Sequence, residues 1–228
     1  MAKRPVFVPS RQQGKLVEEL LIEFEWHAGM AVSQKQKSIR SLHAAARRKG
    51  IDPILEVSTK SSSPLGVRLS SFNLVYESVS GVDWTVESVF QGSKKFERGG
   101  PYKDLVGMSG FDIKKDERLV NSGRLEYFEF DDVRWDLEPK TAFYDWLYLH
   151  ALTRNDDLAR EIRTYRGFTD IEFNPQKSIN CQARSCALYV FLTEHGTLKH
   201  ALSDRDLFMK ILQGKETGSQ LRFSEEST

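Results

Sequence analysis

Three polar residues, Glu87, Gln91 and Lys94, fall within one short stretch in a pattern that chemistry can use. From Val86 to Phe96 the residues Val86, Val89, Phe90, Ser93 and Phe96 recur at helical spacing, which predicts a helix broken by Gly99-Gly100-Pro101. On that helix Glu87, Gln91 and Lys94 share one flank of the core arc, within roughly 60°. Glu87 and Lys94 are too far apart along it for the ordinary (i, i+4) ion pair. A carboxylate so placed can stabilise developing positive charge or activate water. An amine beside it can protonate a leaving group or attack as a nucleophile, once burial leaves part of it neutral. An ordinary amphipathic rim has the same spacing, since Glu and Lys are common helix residues.

The chain that must position these groups has 228 residues, 39% hydrophobic and 29% charged, with a net charge of +1. That is the composition of a soluble globular protein and excludes a histone-like polycation. No apolar run approaches membrane-spanning length and no leader-like segment follows Lys3 and Arg4, so a cytoplasmic protein is expected. Cys181 and Cys186 have no CxxC spacing, and the histidines form no HExxH or finger pattern, so free thiols and no metal are expected.

Alternation of Ile22, Phe24 and Trp26 with acidic residues predicts a strand, and Ser33 caps a predicted helix ending at Gly50 that buries Ile39, Leu42 and Ala46. Lys35, Lys37, Arg40, Arg47, Arg48 and Lys49 follow Trp26 with no acidic residue among them. Lys37, Arg40, Arg47 and Arg48 share one arc, which reads equally as a solvated face or a phosphate-contacting surface. Ile54–Thr59 reads as a strand, and Val67–Glu77 as another that turns at Ser80-Gly81 into Trp84. A further hairpin joins Leu125–Phe130 to Val133–Trp135 through Asp131-Asp132. After Pro139, helices carry Phe143, Trp146, Leu147 and Ala151, and then Leu158 and Ile162 beyond Asn155. A last long helix begins near Ser178 to Asn180 and carries Ala183, Ala187, Val190 and Phe191 to the core. Hairpins mixed with clustered helices predict one α+β domain over residues 1–213, helix-rich with short antiparallel strands, and a polar tail over 214–228.

Glu87-Ser88-Val89-Phe90-Gln91-Gly92-Ser93-Lys94-Lys95-Phe96 resembles the E-x-x-F-Q-x-x-K-[FK] core of the NADAR, or YbiA-like, family. Leu69-Ser70-Ser71-Phe72-Asn73 resembles its L-S-N-F segment, at the expected distance upstream. Asp170-Ile171-Glu172, with Asn174 and Asn180, is similar to its C-terminal acidic and asparagine positions, without the family's Trp-Gly element. Phe24-Glu25-Trp26, Ser33 to Ser38, Lys94 to Tyr102, Pro139 to Tyr148 and Thr169 to Ser185 resemble the branch of antitoxins paired with DarT-type toxins.

The resemblance implies an N-glycosidase that removes ADP-ribose from guanine in DNA, releasing ADP-ribose and countering a DNA ADP-ribosyltransferase toxin, its cognate partner. It calls for no cofactor and no membrane. Glu87 would stabilise the oxocarbenium-like sugar or activate water; Lys94 would protonate the base or form a Schiff base. Ser70, Phe72, Asn73, Phe90, Gln91, Tyr102, Trp135, Asp170, Glu172 and Asn180 are the expected substrate-binding residues. Aromatics among them would stack on a nucleobase, and the helix start near Ser178-Ile179-Asn180 would receive the diphosphate. Two alternatives stay open: a YbiA-like glycosidase acting on a small riboflavin-pathway intermediate, and a non-catalytic ADP-ribose reader.

Overall fold

The computed structural model describes residues 1–79, 82–113, 115–174 and 181–214. In chain order the first elements are strands β1 (Ala2–Pro9) and β2 (Val17–Phe24), helix α1 (Val32–Arg47), strand β3 (Ile54–Glu56) and helix α2 (Pro64–Arg68). Strands β4 (Val75–Val79) and β5 (Val82–Thr85), helix α3 (Val86–Gly92) and strand β6 (Lys94–Phe96) follow. After a 3₁₀ turn at Lys103–Leu105 come α4 (Gly110–Ile113), α5 (Arg118–Asn121), β7 (Leu125–Phe130) and β8 (Val133–Trp135). The last described elements are α6 (Ala142–Thr153), α7 (Asp156–Ile162), β9 (Gly167–Thr169), α8 (Gln182–Glu194), α9 (Leu198–Ala201) and α10 (Arg205–Leu212). The class is α+β, as expected.

Contacts gather these elements into two compact units, Met1–Ser70 with Asn155–Thr228, and Ser71–Arg154. The first is built on a mixed sheet ordered β2-β1-β9-β3, in which β3 and β9 run parallel. One face is closed by α1, whose buried Ile39, Leu42, Ala45 and Ala46 meet Val6, Ile22 and Phe24. α8 packs against β1 and β9 and is buried nearly all round. β1 has no clear sequence signal because Pro5 and Pro9 interrupt it, and Pro cannot donate to a ladder. Pro5 is tolerated because β1 meets β9 only at Phe7↔Phe168.

The second unit holds two small antiparallel sheets, β4-β5 and β6-β7-β8, packed with α3 and α6. Its centre is aromatic: Phe143 lies 4.9 Å from Phe128, 6.1 Å from Phe90 and 5.5 Å from Trp135, centroid to centroid. Each such side chain contributes roughly 1.5–3 kcal/mol on burial. The β7-β8 turn is the expected one, with Asp131 and Asp132 at φ 49° and 57°, where short Asx side chains are tolerated.

Three local readings are corrected. Val67 does not open a strand, because Pro64 starts the short helix α2 and β4 begins only at Val75. Ser33 lies inside α1, whose N-cap is Ala31, with no side-chain cap bond. The helix from Val86 stops at Gly92, and Lys94–Phe96 forms a strand on β7. Of the last long helix, the predicted start at Ser178 to Asn180 lies outside the described residues; Ala183, Ala187 and Val190 are buried and Phe191 is half-buried.

Candidate functional site

Glu87 sits in the first turn of α3, a helix that Thr85 caps by accepting from the Ser88 amide at 3.2 Å. The residue is 8% exposed, and its carboxylate has a partner on each oxygen: Ser71 Oγ donates to Oε2 at 3.2 Å, and Gln91 Nε2 donates to Oε1 at 3.0 Å. The Glu87 amide also donates to the Ser71 carbonyl at 3.0 Å. Ser71 therefore grips this residue at both ends. Two neutral donors hold the group without discharging it, which a stabiliser of developing positive charge requires.

Lys94 follows Gly92 and Ser93, where the helix gives way to β6. The cause is long-range: Lys94 and Lys95 pair with Phe128 and Tyr127 of β7, while Ser93 Oγ closes the turn onto the Val89 carbonyl at 2.7 Å. Alternation in the strand sends the two lysines to opposite faces. Lys95 Nζ is anchored on the Gly100 carbonyl at 2.7 Å, whereas Lys94 Nζ lies over the Phe90 ring, 5.0 Å from its centroid. Burial lowers the Lys94 pKa, and the Glu87 charge opposes that fall. Desolvation outweighs the attraction, so the amine surrenders its proton more easily than a surface lysine. Backbone packing fixes its place: a Cβ on Gly100, at φ +76°, would stand 2.2 Å from the Lys94 carbonyl oxygen.

The other expected site residues in this unit are placed differently. Phe90 and Trp135 are 6% and 4% exposed and belong to the aromatic core. Phe72 is half-buried, so close to Gly110 that a Cβ there would meet its ring at 2.3 Å. Asn73 is exposed. Tyr102 is half-buried; its hydroxyl bonds Ser122 Oγ and its ring carries the Arg118 guanidinium at 4.6 Å. Ser71 was not among the expected residues, and nothing in the Ser70-Ser71 pair distinguishes the one that reaches Glu87.

Ser70, Asp170 and Glu172 belong to the other unit. Ser70 is fully buried and its hydroxyl has no partner among the described residues. Glu172 is exposed, and Asn180 lies outside the described residues. Asp170 Oδ1 accepts from the amides of Glu172 and Phe173 at 3.0 and 3.2 Å, and Oδ2 accepts from Gln182 Nε2 at 3.1 Å. Beside it, buried Glu56 accepts from Ser58 Oγ at 2.7 Å, Thr169 Oγ1 at 2.6 Å and the Ile171 amide at 2.8 Å. Thr169 Oγ1 in turn bonds His43 Nε2 at 2.8 Å. Burial, and then the Glu56 charge, push Asp170 up to about 8, while burial raises Glu56 and holds His43 down at about 4. Glu56, Thr169 and His43 stand on β3, β9 and α1, so sequence spacing gives no sign of the network.

Cys181 and Cys186 are buried and not joined in a disulfide, and the described residues contain no group of three or more side chains that could hold a metal ion. No helix among them is long and apolar enough to cross a membrane. None of the curated proteins matches the chain at a significant level. The model of the family described as DarT1-associated NADAR antitoxin matches residues 2–221, nearly the whole chain and both units, and the chain belongs to that family.

Proposed function

We propose that this antitoxin is an N-glycosidase that hydrolyses the bond between ribose C1 and guanine in ADP-ribosylated DNA, reversing the work of a DarT-type toxin. The observation that carries this reading is the pairing, within one unit, of a buried carboxylate held by neutral donors and a desolvated lysine that feels its charge. Breaking the C1–N bond leaves positive charge on the sugar, which the Glu87 carboxylate stabilises. The neutral Lys94 amine attacks C1 as guanine departs, the amine proton passing through Glu87 to the leaving base. Ring opening gives a Schiff base, and water then adds at C1, frees ADP-ribose and restores the amine. Phe72, Asn73, Gln91, Tyr102, Asp170, Glu172 and Asn180 are proposed to bind substrate, and Ser70, Phe90 and Trp135 to shape its surroundings.

Borohydride reduction during turnover tests the covalent route. A sugar adduct mapped to Lys94 by peptide mass is the expected result, absent in Lys94→Ala and Lys94→Arg, because an arginine side chain stays protonated. Normal turnover with no trapped adduct would replace this route by direct attack of water.

A further inference from the structure

We infer that α1 is a docking surface for the phosphodiester backbone of a DNA strand, separate from the residues that carry the glycosidase chemistry. The reading of the substrate as DNA underlies this inference. The first observation is charge without partners. Several arginines elsewhere are matched to acids, Arg118 to Asp104 and Asp116, Arg160 to Asp157 and Arg166 to Glu194, whereas others, such as Arg68 and Arg163, stand singly among the described residues. On α1 and directly after it, Lys37, Arg40, Arg48 and Lys49 are exposed and form no ion pair among the described residues; Arg47 alone reaches an acid, Asp52, at 2.9 Å. α1 contains no acidic residue.

The second observation is the shape of that charge. Ile39, Leu42, Ala45 and Ala46 fix which side of α1 faces the sheet. Lys37, Arg40, Arg47 and Arg48 stand opposite, within roughly 100° of arc, with small Ser33 and Ala44 between them. Lys37 to Arg48 spans roughly 16 Å of helix, against a phosphate charge per about 3.4 Å of strand rise. Small residues between long cations leave a trough into which a backbone can settle.

A second group of cations stands near the start of the helix. Lys35 Nζ and Arg4 Cζ lie 5.0 and 5.4 Å from the Trp26 ring centroid, and among the described residues neither forms an ion pair and the buried Arg4 Nε has no hydrogen-bond partner. Like charges gathered on one ring repel each other, and an anion relieves the repulsion. The positive field lies on α1 and around Trp26, while the exposed acids Glu19, Glu23 and Glu25 stand on and just after β2. A polyanion fits that field.

The decisive probe is an unmodified single-stranded oligonucleotide, which binds or fails to bind whatever the chemistry at Glu87. Wild-type protein should bind it with a steep salt dependence. Lys37→Glu/Arg40→Glu, at exposed positions and with an unchanged melting temperature, should bind at least about tenfold more weakly and lower the salt slope by about 2. The same variant should release ADP-ribose from ADP-ribosylated guanosine at the wild-type rate and from ADP-ribosylated DNA more slowly. Equal DNA binding by variant and wild type, or no binding by either, would overturn the inference. So would loss of toxin binding with DNA binding intact, which would make α1 a protein-docking face. Binding that depends on α1, with no ADP-ribose released from either substrate, would sustain the docking surface while removing the glycosidase reading.

Discussion

Glu87 depends on Ser71 as much as on its own helix. The Ser71 hydroxyl supplies one of the two donors on the carboxylate, and its carbonyl takes the Glu87 amide proton. Removing the hydroxyl leaves Gln91 to hold one oxygen and frees the other to rotate or take water. Ser71→Ala should therefore lower kcat by roughly tenfold, the worth of one hydrogen bond to a charged group, with KM little changed. Ser71→Thr, which restores the donor, should recover most of it; an unaltered kcat in the alanine variant would remove Ser71 from the positioning of Glu87. The neighbouring Ser70 is the contrast. It is adjacent in sequence and fully buried, yet its hydroxyl makes no bond among the described residues.

At the scale of elements, the parallel pairing of β3 with β9 brings Glu56 to Thr169 and sets Asp170 beside it. Asp170 and Glu56 are both raised, so their protonated forms stabilise the fold at low pH; the Asp170 contribution is lost as pH rises towards about 8, and the Glu56 contribution is lost in the same direction. His43 and His150 run the other way. Burial takes each from 6.5 to about 4, so their contribution is full above 6.5 and is lost as pH falls towards 4. Above pH 6.5 the carboxylates are left opposed by Lys94, whose lowered pKa favours the fold as pH rises. The difference between two proteins isolates them. Between pH 6.5 and 8.5 the melting temperature of wild type should fall relative to that of Asp170→Asn, and parallel curves would show that Asp170 titrates normally. Elements whose cause is local were legible in the sequence: the Asp131-Asp132 turn, the buried stripe of α1, and the α3 helix as far as Gly92. The fate of Lys94 was not, because it is set by pairing with β7 about thirty residues later. The wheel put Glu87, Gln91 and Lys94 on one flank of a single helix; Gln91 does bond Glu87, but Lys94 stands outside that helix, on β6.

Across the whole molecule, the family match runs through both units, although the two motifs that first suggested it lie next to each other in sequence. Glu87, Lys94 and their holders belong to one unit, and Asp170 with its carboxylate partner belongs to the other. A reader of ADP-ribose would need the same binding residues but no desolvated amine beside a carboxylate. The separating measurement is the product formed when purified protein meets ADP-ribosylated DNA. Free ADP-ribose and restored guanine should appear with wild type, while Glu87→Ala, still folded, should be slower by roughly two to four orders of magnitude. Substrate recovered intact with wild-type protein, despite tight binding, would contradict the glycosidase assignment.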